Sequence, residues 1–186
     1  LDAHHINSQS ISGGQPMSQI LIGKRILIVD DEPDVFETLN ELLDICSVDY
    51  AQDFKTAKKF LLENNYDAAI LDIMGVDGYN LLTLARQREI PALMLTAHAL
   101  SPDHLVKSIK EGAFSYIPKH EMADIQQYLE DIIQSKQKGN QKPRKWFRKL
   151  SPFFNKKFGA DWKNQHKEFI TDFNLEHTRE ELEKIL

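Results

Sequence analysis

The sequence predicts an α/β fold, a parallel β-sheet buried between layers of helices. Two observations point there. Short apolar runs without alternation recur along the chain, as at Ile26-Leu27-Ile28-Val29, Ala68-Ala69-Ile70-Leu71 and Leu93-Met94-Leu95. Runs of this kind read as strands covered on both faces. Between them lie stretches whose apolar residues recur at helical spacing. Each run also stops at a polar group: Asp30-Asp31 after the first, then Asp72, Thr96 and, after a further run, Lys119. Ligands of parallel sheets bind outside the carboxyl ends of the strands, so these groups are expected to gather along one edge.

The elements follow in order. The first strand ends at Val29, and the helix over 33–44 begins with Pro33, which suits a first helical position, and buries Val35, Leu39, Leu42 and Leu43. A second strand covers 47–51. Asp53 caps a helix over 53–64 whose inner face is Phe54, Ala57 and Leu61. The third strand ends at Asp72 and leads to an Asp77-Gly78 turn, and the fourth runs through Leu93 to Ala97. Ser101-Pro102 opens the next helix as cap and first turn, and Gly112 closes it. The run 112–119 ends in Lys119, and Ile125, Leu129, Ile132 and Ile133 form the stripe of a last helix. Five strands alternating with five helices make a doubly wound sheet.

Asp30, Asp31 and Asp72 brought together repel one another unless a cation lies among them. An all-oxygen set of this kind suits a hard divalent ion, Mg²⁺ above all, with water completing the octahedron. Taken singly, each acid would serve equally well as a helix cap or turn former. Two acids, one acid, Thr-Ala and Lys on successive strands resembles the receiver domain of two-component response regulators, over residues 24–134. The resemblance implies a flavodoxin-like strand order, 2-1-3-4-5. It implies Asp72 as the nucleophile that takes a phosphoryl group from a histidine of a sensor kinase or phosphotransfer protein. Asp72 and Asp31 would ligate Mg²⁺, Asp30 would hold it through water, and the Met74 backbone carbonyl would complete the set. Lys119 would neutralise the phosphoryl oxygens, Thr96 would give its hydroxyl to the phosphate, and Tyr116 would change rotamer in response. Met74 and His98 fall at positions that tune rates in the family. Such a protein is a phosphoacceptor, not an enzyme acting on an external substrate.

Three departures from the family pattern stand out. Only Ile73, Met74, Gly75 and Val76 separate Asp72 from the Asp77-Gly78 turn, two residues fewer than usual. Pro118 precedes Lys119 and His120 follows it, where relatives place a proline after the lysine. His98 lies two residues beyond Thr96. A degenerate receiver that binds a partner without accepting phosphate is therefore kept as an alternative. Phosphatases with an aspartyl nucleophile form a rival class, but they need a second aspartate two residues on, where Met74 has no proton to transfer.

The rest of the chain divides by charge. Residues 1–131 carry 10 Lys/Arg against 21 Asp/Glu, residues 132–160 carry nine basic residues and no acid, and the remainder carries four against seven. The expected organisation is a flexible arm over 1–19, a receiver over 20–135, a basic linker over 136–145 and a helical extension over 146–186. Eight of the 17 aromatic residues lie in that extension, too many for a disordered tail. Ser151-Pro152 reads as a cap and first turn, Gly159 as a stop, Asp161 as the cap of a helix burying Trp162, Phe169, Ile170 and Phe173, and Thr178 with Glu181 as a capping box. The tail is expected to pack on the receiver or on a second copy and to mediate homodimerisation or docking of a protein partner. Nucleic-acid binding by its basic and aromatic residues is the alternative. A membrane-surface helix is disfavoured by Pro152. The lone Cys46 precludes an internal disulfide, and no apolar run approaches the roughly 20 residues of a membrane span. A cytoplasmic location is expected.

Overall fold

A computed structural model of the chain describes residues 19–97, 100–139, 145–159 and 161–172. The strands are β1 (Arg25–Val29), β2 (Ser47–Ala51), β3 (Ala68–Asp72), β4 (Ala92–Thr96) and β5 (Ser115–Pro118). They form one all-parallel sheet in the order β2-β1-β3-β4-β5. The helices are α1 (Pro33–Leu42), α2 (Phe54–Glu63), α3 (Gly78–Gln87), α4 (Pro102–Lys110) and α5 (Ile125–Gln137), followed by α6 (Lys145–Phe158) and α7 (Trp162–Gln165). The doubly wound fold expected from the sequence is thus present, with helices added after it.

Local chemistry accounts for most boundaries. The Asp53 carboxylate accepts the Thr56 N–H at 2.9 Å, and the Ser101 hydroxyl accepts that of His104 at 3.2 Å, so two orphan donors are satisfied by the expected caps. Every residue of β3, β4 and β5 is buried, whereas edge strand β2 buries fully only Ala51. Leu21 is fully buried and the Gly23 N–H reaches the Ile45 carbonyl at 2.9 Å, so the packed unit starts close to residue 20. Among the described residues, no helix is long and apolar enough to cross a membrane.

The tail departs from expectation in two places. Ser151-Pro152 does not start a helix: α6 runs through it, with Pro152 on the exposed side. A proline inside a helix removes one backbone bond and costs about 3 kcal/mol. Burial of Trp146, Phe147, Leu150 and Phe154 on the opposite face offsets this. Gly159, at φ 88°, ends α6 as expected. The helix expected from Asp161 is interrupted after four residues at His166 and resumes over 167–172. Asp161 does not cap it through its side chain, which instead accepts from the Asn164 amide at 2.8 Å. The arm over 1–18, Phe173 and the Thr178–Glu181 box lie outside the described residues.

The extension packs on the receiver. Lys145 pairs with Asp131 at 3.2 Å and Lys149 with Asp124 at 2.7 Å, which sets α6 antiparallel to α5. Basic α6 therefore lies on Asp131 of α5 and on Asp124 just before that helix. Its inner face crosses β5: Phe154 meets the Tyr116 ring at 6.2 Å between centroids, and Phe153 meets His120 edge-on at 4.7 Å. Fully buried Phe154 also lies against Trp146, Phe147 and Phe158.

Candidate functional site

Parallel pairing places Asp30, Asp72, Thr96 and Lys119 at the same edge of the sheet, because each is the last residue of its strand or the first beyond it. Asp30 is 1 % exposed and held on all sides. Its N–H donates to the Ala51 carbonyl at 3.2 Å, and its own carbonyl accepts the Tyr50 hydroxyl at 2.9 Å. Oδ1 accepts the Glu32 N–H and the Lys119 ammonium, each at 3.0 Å. Oδ2 accepts no hydrogen bond, although Lys119 Nζ stands 2.8 Å from it as an ion-pair partner. Asp72 is 4 % exposed; its Oδ2 accepts the Met74 N–H at 3.1 Å and its Oδ1 lies 3.5 Å from Lys119 Nζ.

Lys119 is the only buried lysine or arginine among the described residues, and it joins both acids. It follows β5 directly and opens a 3₁₀ helix over Lys119–Asp124, which the sequence reading had not assigned. It also pairs with Glu32 at 2.6 Å. Glu32, which follows Asp30-Asp31 directly in the chain, is thus part of the site. The chain contains no cis peptide among the described residues, so Pro118 and Lys119 reach this geometry through ordinary trans bonds.

Two buried carboxylates and the Glu32 carboxylate share one ammonium, and the electrostatics record the imbalance. Burial pushes the Asp72 carboxyl up to about 6; Lys119 opposes this, and Asp30 and Asp31 add to it. Asp30 is likewise raised, chiefly by burial, against the pull of Lys119. Lys119 is held well above the usual lysine range: its hydrogen bonds to Asp30 and Glu32 outweigh the burial that works against its charge.

The loop after Asp72 takes a tight form. Gly75 has φ 79° and the Val76 N–H reaches back to the Met74 carbonyl at 2.9 Å, a three-residue turn of the γ type. The positive φ favours glycine here, and a Cβ on Gly75 would fall 2.5 Å from Oδ2 of the exposed Asp31 side chain, which would have to move aside. A Cβ on Gly78 would fall 2.0 Å from the Asp72 carbonyl oxygen, which explains glycine at the start of α3. Val76 and Ile73 turn inward, while the Met74 side chain is 49 % exposed beside Asp72.

Thr96 is fully buried at the end of β4, and Tyr116 is fully buried on β5, where it pairs with Met94. Burial pushes the Tyr116 hydroxyl well above its usual range, against the smaller opposing influence of the Ser101 backbone N–H, beyond the loop that follows Thr96. His98 lies outside the described residues. As they stand, no three His, Cys, Asp or Glu side chains among the described residues surround a common point. Mg²⁺ needs fewer, since it is commonly held by one or two carboxylates and keeps several waters. The excess of buried negative charge and the all-oxygen donors fit such an ion.

Known proteins resemble the chain in sequence and in fold. The two-component response regulator ARR10 of Arabidopsis thaliana is 33 % identical over 135 residues, covering 67 % of this chain and 24 % of that protein. The response regulator protein PilR of Pseudomonas aeruginosa is 33 % identical over 102 residues, 52 % of this chain and 23 % of its own length. The chain thus spans about a quarter of the length of these relatives. Among solved structures, a CheY-like receiver domain protein from Methanospirillum hungatei superposes with a TM-score of 0.58 at 25 % identity, covering 62 % of this chain and 98 % of that one. A response regulator from Burkholderia pseudomallei with a phosphorylated aspartic acid and a calcium ion shares the fold, with a TM-score of 0.53 at 24 % identity over 63 % of this chain and 72 % of that one. The response regulator receiver domain family matches residues 26–130, from β1 through most of α5 and enclosing every strand end described above. The acid pair, the second acid, the threonine and the lysine, spread over 90 residues of chain and gathered on one sheet edge, therefore have a plain explanation: this chain belongs to the response regulator receiver domain family.

Proposed function

We propose that the chain is a phosphoryl-accepting receiver with Asp72 as the acceptor. The observation that carries this is the placement of Asp72 3.5 Å from the one buried lysine among the described residues, at the carboxyl edge of the sheet. With its carboxyl pushed up to about 6, Asp72 is still mostly ionised at pH 7 and available as a nucleophile. A carboxylate oxygen of Asp72 attacks the phosphorus of a phosphohistidine on a sensor kinase or phosphotransfer protein. The P–N bond breaks, and the imidazole leaves with the bonding pair and takes a proton from solvent. Phosphoryl transfer depends mainly on positioning and charge neutralisation. Lys119 supplies the positive charge within the chain, and the Met74 N–H fixes the orientation of the carboxylate.

When bound, Mg²⁺ would supply further neutralisation of phosphoryl charge; Asp31, Asp72, Asp30 through water and the Met74 carbonyl would hold it. One lone pair of that carbonyl is already directed to Val76 N–H. Thr96 gives its hydroxyl to the new phosphoryl group, and Tyr116 answers with a change of rotamer. Met74 places a thioether with no exchangeable proton at the mouth of the site, so no side chain there assists a hydrolytic water; with His98 it sets the lifetime of the acyl phosphate. The chain acts by being modified, not by turnover of a substrate. Output passes through the helical tail to a protein partner or a second copy. The inward burial of Trp146, Phe147, Leu150 and Phe154 and the pairing of Lys145 and Lys149 with α5 favour this over a nucleic-acid or membrane contact. The lone Cys46, a free thiol pushed up to about 11 chiefly by burial, suits a reducing compartment, and we place the protein in the cytoplasm.

Intact mass after incubation with Mg²⁺ and a small-molecule phosphodonor tests the assignment. One added phosphoryl group on the wild type and none on Asp72→Asn is expected. An unmodified but folded wild-type protein, also inert to kinase extracts, would leave the chain a binding module.

A further inference from the structure

We propose that the cleft between α5 and the start of α6 is a binding site for a small organic phosphate, separate from the strand-end site around Asp72. The cleft has a volume of about 300 Å³, and its walls include Tyr128 and Asp131 of α5 and Lys145, Trp146, Arg148 and Lys149 of α6. None of these residues is among the partners of Asp30, Asp72 or Lys119 described above, so the inference does not depend on the phosphoacceptor reading.

Charge is the first observation. The opening turn of α6 holds no acid, yet Lys145, Arg148 and Lys149 fall within the first five residues of the helix. A helix N-terminus carries positive partial charge and backbone N–H groups that have no acceptor within the helix. Cations are disfavoured there and anions are welcome. Two of the three cations are partly answered, Lys145 by Asp131 at 3.2 Å and Lys149 by Asp124 at 2.7 Å. Arg148 is exposed and has no ion-pair partner among the described residues. Its planar guanidinium presents two parallel donors, the geometry that takes two oxygens of one phosphate.

The second observation is Tyr128. Its side chain is 2 % exposed, and its hydroxyl makes no hydrogen bond among the described residues. A buried hydroxyl left without a partner is costly, and a bound ion is one of the few things that explain it. Burial pushes this hydroxyl well above its usual range, so at neutral pH it keeps its proton and is available as a donor. The Lys149 ammonium lies 5.2 Å from the centre of the same ring, which puts a cation and the unpaired hydroxyl on one wall of the cleft. A phosphate drawn to Arg148 and the two lysines turns these long side chains onto itself and accepts the Tyr128 O–H beneath them. Size narrows the class further. At about 30 Å³ for each water, the cleft holds on the order of ten waters, more than a bare phosphate displaces, so a compact organic body fits beside Trp146.

Calorimetric titration of the full-length chain at constant ionic strength tests this, with AMP, inorganic phosphate and adenosine as probes. AMP is expected to bind one-to-one, inorganic phosphate more weakly and adenosine not at all. Arg148→Gln, at an exposed position, is expected to weaken AMP roughly tenfold or more. Tyr128→Phe is expected to weaken it several-fold while the Tm of the free protein holds or rises, because an unpaired buried hydroxyl has been removed. A hydroxyl with a structural role alone would move Tm and leave the affinity as it was, which would overturn its part in the site. Asp72→Asn is expected to bind AMP as the wild type does. Binding lost in Asp72→Asn but kept in Arg148→Gln would place the phosphate at the strand ends and overturn the proposal. So would the absence of saturable binding at millimolar AMP. Inorganic phosphate bound as tightly as AMP would overturn the organic ligand and leave the free ion as the occupant.

Discussion

An ionised Asp72 works against the metal-free fold, and replacing it with asparagine is expected to stabilise the protein at neutral pH. Burial, the largest influence on this carboxyl, raises it from 3.8 to about 6 in the folded chain. Between those values the folded state binds more protons than the unfolded state, so stability falls as pH rises through the window. Below it the cost is absent; above it the cost is complete. Two pH units correspond to about 3 kcal/mol, an upper figure because the unfolded chain is not fully solvated. For a chain of this length that is a rise of about 6–12 °C in Tm. The isosteric amide keeps an oxygen for the Met74 N–H, so the local loop is preserved. The assay is urea unfolding of wild type and Asp72→Asn, without divalent ions, at steps from about pH 3.5 to 8. The stability difference is expected to start near zero, grow through the window and then level off. Added Mg²⁺ is expected to narrow the gap by stabilising the wild type alone. A difference that stays flat with pH, or an asparagine variant less stable above pH 6, would refute the reasoning.

Lys119→Met removes the cation from two buried acids and is expected to cost about 3–5 kcal/mol at pH 7. Thermal unfolding at pH 7 and pH 5 checks this, with a smaller loss at pH 5, where Asp72, pushed up to about 6 by burial, takes up a proton. Gly75→Ala forces a side chain onto the Asp31 carboxylate at φ 79° and is expected to cost about 1–3 kcal/mol and to weaken Mg²⁺ binding in calorimetry. Equal Mg²⁺ affinity in that variant would separate Asp31 from the ion.

The strand ends were legible because their chemistry is local: an apolar run that stops at Asp72 or Lys119 shows both the strand and its functional terminus. Caps at Asp53 and Ser101 were legible for the same reason. What sequence could not supply were pairings across the fold. Glu32 and Lys119 are 87 residues apart, and nothing in either neighbourhood announces their contact. Of Asp30 and Asp31, adjacent and chemically equal, one is buried and the other exposed, a choice made by the backbone as it leaves β1. In the tail, local signals misled. Ser151-Pro152 has the composition of a helix start, but the aromatic stripe from Trp146 to Phe154 spans it and packing on β5 prevails. At His166 the reverse occurs, and a stripe that reads as one helix is broken.

Pro152 has a consequence for how the tail behaves away from the receiver. Isolated helices of α6's length are marginal even in favourable sequences, and this one carries a proline near its middle and a run of like charges at Lys156 and Lys157. It owes its helical form to the surface beneath it. Undocking and unwinding are then a single event, and the freed segment is an extended, cationic, aromatic-rich strand of chain instead of a rigid rod. A partner that captures it must order it anew, so its affinity is set by conformational entropy as much as by contact area.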